Sequence, residues 1–410
     1  MSRNNITTER LTGQLGRKAP NLDGVCGFIG TGVAVATKLD LGAIYKLYSI
    51  EDAAALGLDA AYDTTNNVLL FHHLERLYTG NPTAEVHLMV LAQTATIADM
   101  VDIANVNNAK KLSKDSAGRV KMIFVNRNPA TGYTPTLTTG LDADVVAAIP
   151  KAQALVEEEA GEHRNISIVL EGRSFNGTAA AALDLRTLDA EGVSVVIAAD
   201  PDISDNHALY AGYAAIGDFA GMITKAAVSQ NCAEPIDEFN VVNAAKGHYA
   251  TIGLSSNLGL NTYTNTSLNT LDTKGYIFVE GVPDLTGAWF NDTHTAVAVT
   301  VDYAYIENNR TIDKILRLSR AAIMPNLKGR LSVDEETGYL DPHQKSNLED
   351  IVKAALEIML TDGDVSGGID CYINEKVNLL SGGTLVFEVS AVPKAIGRLI
   401  TLKVGFNNPF

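Results

Sequence analysis

Between residues 25 and 229, short continuously apolar runs alternate with segments of helical period, and this alternation constrains the fold more than any other feature of the chain. The runs are 25–30, 84–92, 119–127, 166–172 and 193–200. A strand buried on one face alternates polar with apolar; unbroken apolar runs belong to strands covered on both faces. Between them lie helical segments at 50–57, 66–80, 96–112, 142–161, 177–192 and 207–229. Ser49 and Asp52 read as a capping box opening the first, and Gly57 as its stop. This order predicts a mainly parallel sheet with helices on both sides.

After residue 252 the character changes. The Asn/Thr/Ser-rich segment 253–272 reads as a long loop or a boundary. Strands are expected at 275–282 and, from strong alternation, at 294–307. A helix over 309–324 should stop at Pro325, and another over 346–363 should open on a Ser346–Glu349 capping box. Strands at 368–377, 384–392 and 395–406 close the chain. The first 20 or so residues are polar and lack an apolar period, which predicts an extended arm. The expected fold class is an α/β body with a mainly parallel sheet plus an α+β C-terminal domain, with extended N- and C-terminal arms. The expected boundaries are an arm over 1–23, a body over 24–272, divisible near 115/116, and a C-terminal domain over 273–410.

Charge narrows the function classes. The formal net charge is −16 over 410 residues, which opposes nucleic acid and an anionic membrane surface as partners. It is unevenly placed: residues 1–20 carry +3 and 382–410 carry +2, which leaves −21 for the rest. Basic ends on an acidic body would favour a polymer whose ends lie on neighbouring copies. Cys26, Cys232 and Cys371 are distant and odd in number, which fits a reducing compartment. The start lacks the apolar core of a secretory signal.

No constellation converges on chemistry. Gly27, Gly30 and Gly32 are spaced G-x-x-G-x-G rather than G-x-G-x-x-G, and no helix clearly starts at them. They read as glycines shaping a strand exit. His72 and His73 are adjacent, so they do not share a helix face as a zinc pair would. Ser174 is not in a G-x-S-x-G elbow. Asp200, Asp202 and Asp205 follow a strand and read as a turn with a helix cap. No cofactor or metal is expected.

Two stretches together resemble contractile phage-tail sheath proteins. In the first, Ile29-Gly30-Thr31 ends a strand and is followed by an irregular crossing, then Ser49, Asp52 and Gly57. In the second, Trp289, Phe290 and Asn291 precede Tyr305 and an N-R-x-x-D entry to a helix at Asn309, Arg310 and Asp313; the strands over 383–406 complete it. The resemblance covers roughly 25–95 and 275–410 and is nearest to a divergent bacteroidete-type sheath of phages or phage-like injection systems.

That resemblance implies a structural subunit rather than an enzyme. It would polymerise, as a six-fold helical sheath, around an inner tube and contract to drive the tube through a target envelope. Its implied partners are further copies of itself, the tube, the baseplate and the tail terminator. Assembly would occur in the cytoplasm of a bacterial host. Family sheaths join subunits by strand exchange, for which Arg3 and Arg10 in the N-terminal arm and the alternating Ile400, Leu402, Val404 and Phe406 are the candidates. Segment 310–330 carries a net +5, and Arg310, Lys314, Arg317, Arg320, Lys328 and Arg330 are the candidate tube or subunit contacts. Arg310, Lys314 and Arg317 share one helix face. The alternatives are a static tail or capsid polymer and a nucleotide-dependent α/β enzyme.

Overall fold

The five apolar runs, with one further edge strand, form a six-stranded sheet: β1 (Cys26–Gly32), β2 (Ile44–Leu47), β3 (Val86–Ala92), β4 (Met122–Val125), β5 (Ser167–Glu171) and β6 (Val193–Val196). Their order is β2-β3-β1-β4-β5-β6. All neighbours are parallel except β2, which runs antiparallel to β3 with Ile44 opposite Met89. This computed structural model describes residues 22–242, 249, 251–374 and 376–406. Every residue of β1, β4, β5 and β6 is buried, which is why these strands read as unbroken apolar runs. β2 is only half-buried at the edge, so its residues lacked that signal.

The three longest helices of the body among the described residues are α1 (Leu70–Gly80), α2 (Ala143–Gly161) and α3 (Ile216–Lys225). Helix α2 packs on β5 and β6, and α3 on β4 and β5. Helices α1 and α3 lie against each other with glycine at the crossing. A Cβ on Gly221 would stand 2.8 Å from the Leu77 carbonyl oxygen, and one on Gly80 would stand 2.9 Å from the Gly221 Cα. Such separations are closer than van der Waals contact allows.

Several expectations were overturned locally. The segment 96–112 is two short helices, Ile97–Val101 and Ala109–Asp115, split where Asn108 caps the second by accepting from Lys111 N at 3.0 Å. The alanine-rich stretch 177–192 forms only two 3₁₀ turns, because Lys274 Nζ draws in the carbonyls of Ala179, Ala180 and Ala182 at 3.0, 3.0 and 2.6 Å. The long strand expected at 294–307 is absent. There the chain folds around buried Arg186, which donates to the carbonyls of Thr295, Val297 and Ala304 at 3.1–3.2 Å. Segment 253–272 is no break, since Leu254 and Leu271 join the body's core and Asn265–Thr273 is helical.

The body's apolar core runs from Val25 to Ile306 and takes in Tyr276, Phe278, Trp289 and Phe290. Beyond it come α4 (Ile306–Ile323) and α5 (Pro342–Thr361), then β7 (Val365–Ile373) and β8 (Phe387–Pro393), an antiparallel pair. Helix α5 starts four residues earlier than expected. Asp341 caps it, accepting from His343 N at 2.9 Å and Gln344 N at 3.2 Å, and Glu349 instead accepts from Ile373 N at 2.8 Å. A second, smaller core joins Ile315 of α4 to Val352, Leu356 and Met359 of α5 and Val365 and Cys371 of β7. Among the described residues the pair β7–β8 stands alone as a two-stranded sheet, so each strand keeps a free edge. Residues 394–406 form neither helix nor strand.

Candidate functional site

The opening glycines belong to β1 itself rather than to a turn at its exit. A Cβ on Gly30 would meet Leu70 Cδ1 at 2.7 Å, and one on Gly32 would meet the Tyr62 hydroxyl at 2.6 Å. They let α1 and the helix Ala60–Asn66 close onto the strand.

In an open α/β sheet a ligand would sit past the carboxyl ends of β1 and β4, where the strand order reverses. The chain's own polar groups occupy that place. Asn128 donates to the Thr31 carbonyl at 2.8 Å and accepts from Leu69 N at 2.9 Å. Asn126 donates to Glu171 at 3.1 Å, and Arg127 pairs with Asp144 at 2.8 Å beneath the Tyr133 ring. Glu171 is fully buried, which pushes its carboxyl up; Arg173 at 3.0 Å opposes that rise.

Of the other chemical candidates, His73 and Asp200 are buried, His72 and Ser174 are half-buried, and Asp202 and Asp205 are exposed. His73 is buried against Phe28 and Tyr213, and burial drives His72 down to about 3 and His73 well below its ordinary value, so both are neutral. Asp200 caps a turn, accepting from Asp202 N at 3.0 Å. Ser174 holds φ +53° beside Gly212, whose carbonyl accepts from Ser174 N at 2.8 Å. Among the described residues no three His, Cys, Asp or Glu are grouped to hold a metal ion, and no helix is long and apolar enough to cross a membrane.

The basic face expected on α4 is not a surface. Arg310 is 7% exposed and donates to the carbonyls of Ile223, Ala226 and Ala227 at 3.1–3.2 Å, closing the C-terminal end of α3. Lys314 is 6% exposed and pairs with Asp23 at 3.2 Å, Asp362 at 2.9 Å and Asp364 at 2.6 Å. Burial alone would lower its ammonium, but those carboxylates outweigh burial and hold it above its ordinary value. Arg317 pairs with Asp23. These three cations therefore bind the two cores together, while Leu316 of the same helix is 52% exposed. Arg320, Lys328 and Arg330 remain on the surface.

The closing segment differs in kind. Leu399, Ile400, Leu402 and Val404 are 85–90% exposed and Phe406 is fully exposed, so the expected strand 395–406 has no partner among the described residues. Its root is held. The Arg398 guanidinium reaches Asp292 at 2.7 Å, pairs with Glu307 and lies 3.4 Å over the Tyr305 ring. Sequence reasoning missed this cluster, because its members lie about 90 to 106 residues apart. Arg3 and Arg10 lie outside the described residues.

The motif residues behind the resemblance act as staples. Asn291 accepts from Phe278 N at 2.8 Å and donates to Asp272 at 2.8 Å; Asn309 donates to the Glu191 carbonyl at 2.8 Å.

Solved structures share this fold. The chain is similar to the anti-feeding prophage helical sheath in its contracted state, with TM-score 0.62, 15% identity and 99% of each chain covered. It is also similar to the contracted PVC sheath of an extracellular contractile injection system, with TM-score 0.58, 11% identity and 99% and 98% covered. A sheath tail protein of Listeria innocua aligns at TM-score 0.50 and 11% identity over 92% and 97%. No curated protein matches by sequence. Family models described as the DUF2586 N-terminal and C-terminal domains match residues 3–294 and 302–410, and the chain belongs to the DUF2586 family.

Proposed function

We propose that this protein is the structural subunit of a contractile sheath, polymerising helically around an inner tube. One observation carries the reading: end-to-end likeness to sheath chains, in a molecule whose last strand-like segment is exposed and, among the described residues, unpaired. Residues 399–406 alternate Ile400, Leu402, Val404 and Phe406 with Thr401, Lys403 and Gly405, the pattern of a strand with one covered face. Left in water they invite aggregation; added to a neighbour's β7–β8 pair they complete an open edge. Burying each large side chain contributes roughly 1.5–3 kcal/mol before ordering costs.

The subunit holds no reaction centre and works by repacking. Two arrangements of one rigid body differ in free energy, and the donated strands keep neighbours joined during the change. The N-terminal arm, with Arg3 and Arg10, is the second donor, and the C-terminal α+β unit with its hairpin is the receiver. Arg320, Lys328 and Arg330 form the basic surface offered to the tube. Baseplate and terminator cap the polymer, which assembles in a host cytoplasm.

The test is negative-stain electron microscopy of the purified chain, alone and with its tube protein, beside a chain lacking residues 399–410. Hollow tubes from the full chain and none from the truncation are expected. Tubes of equal length from both would overturn strand donation by this segment, and a full chain that stays monomeric even with tube present would overturn the sheath reading.

A further inference from the structure

The cluster around Arg398 is built from groups that other contacts also hold. Asp292 is 7% exposed and Glu307 2%. Asp292 Oδ1 accepts from Asn231 Nδ2 at 2.5 Å and from Thr293 N at 2.8 Å, leaving Oδ2 to face Arg398 Nε at 2.7 Å. Glu307 Oε2 accepts from the Thr293 hydroxyl, leaving Oε1 for Arg398 Nη2. The Tyr305 ring lies beneath the guanidinium, its centroid 3.4 Å from Arg398 Cζ. Two aimed carboxylate oxygens and an aromatic floor match the planar fork of an arginine and fit an ammonium poorly. Two carboxylates this deeply buried are costly to leave without their cation. Exposure changes abruptly at this residue. The Arg398 side chain is 28% exposed, whereas Leu399 next to it is 90%.

We propose that Asp292, Glu307 and Tyr305 form a guanidinium socket that anchors the C-terminal segment through Arg398 and fixes where the free, donated part begins. Arg398 is a positioning residue. The chain from Lys394 to Gly397 is a tether pinned at both ends, by β8 and by the socket, and only residues from 399 onward are presented to a second copy. Pinning removes tether freedom before donation, so less entropy is lost when the strand pairs. The role in donation rests on the sheath reading; the anchor itself does not.

Trypsin reads the anchor directly, because it cleaves after an arginine only when the guanidinium leaves the socket for the protease. Lys403, five residues on, is the internal control. In the full chain at dilute concentration, cleavage after Lys403 is expected to outpace cleavage after Arg398. In Asp292→Asn and in Glu307→Gln, cleavage after Arg398 is expected to accelerate at least about tenfold while cleavage after Lys403 stays unchanged. Either variant suffices, provided its circular dichroism matches the parent. Equal cleavage at both sites in the parent, or no acceleration in a folded variant, overturns the anchor. Arg398→Ala and Arg398→Lys are then imaged as above, and shorter or fewer tubes are expected from both. Tubes like the parent's from Arg398→Ala overturn the presenting role. If the parent itself forms no tubes, the sheath reading is what fails, and the cleavage rates still decide the anchor.

Discussion

A buried guanidinium is tolerated only when its donors find acceptors, and Arg310 finds carbonyls at the end of α3. Arg310→Met would keep much of the apolar volume and orphan those carbonyls. We expect a loss of about 3 kcal/mol in urea unfolding, whereas a surface cation would cost almost nothing. The same contrast separates a structural role from tube binding at this position. Asp218 on α3 is 4% exposed and has one unpartnered carboxylate oxygen. Burial pushes its carboxyl up to about 7, with Arg76 opposing. An unfolded aspartate titrates near 3.9, so the folded state holds an extra proton between about 4 and 7. Stability from this group therefore rises as pH falls through that window, and its charged form penalises the fold fully above pH 7. Asp218→Asn should flatten the pH dependence between 4 and 7. It should also raise stability at pH 8 by on the order of 2 kcal/mol, as read from denaturation midpoints.

Between elements, the crossing of α1 and α3 is the tightest contact, and Gly217 sits in it. A Cβ there would overlap the His73 carbonyl oxygen and lie 2.7 Å from the His73 Cα. These are backbone atoms that no rotamer change moves. Gly217→Ala should cost about 1–3 kcal/mol despite the better helix propensity of alanine, and a gain in melting temperature would refute the crossing. Five of the six strands of the sheet were legible as apolar runs because burial on both faces leaves a direct composition signature; the half-buried edge strand β2 left none. The capping boxes were half legible. Asp52 accepts from Tyr48 N at 2.7 Å, but Ser49 makes no capping bond. The expected strand 294–307 failed because its alternation reflects a chain wrapped around Arg186, an interaction 109 to 118 residues distant in sequence.

For the whole molecule, two cores are riveted by Lys314 and Arg317 to Asp23, Asp362 and Asp364, and the last segment stands clear of both. Removing residues 399–410 should leave monomer stability within about 0.5 kcal/mol, because the described side chains there pack on nothing, while assembly is lost. Reversing Arg320, Lys328 and Arg330 to Glu should leave the monomer folded and weaken tube-templated assembly, with a dependence on salt that the parent shows and the variant lacks. Unchanged assembly would remove this surface from the tube contact. Reversal at Arg310 or Lys314 could not make this test, since their carbonyl and carboxylate partners lie inside the fold.

What the sequence by itself determined was the layered body: that the five apolar runs are strands, that helices intervene between them, that the sheet is mainly parallel, and that the final residues alternate apolar with polar. These follow from local pattern, since burial on two faces, on one face or on none each leaves its own period. The tertiary structure alone decided which charges are surface and which are rivets. A cation on a helix reads the same whether it faces water or three carbonyls. The acceptors of Arg310 and Lys314, like the socket of Arg398, come from residues roughly 50 to 290 positions away. No local pattern encodes a partner at that separation; only the packing of the elements brings it into place.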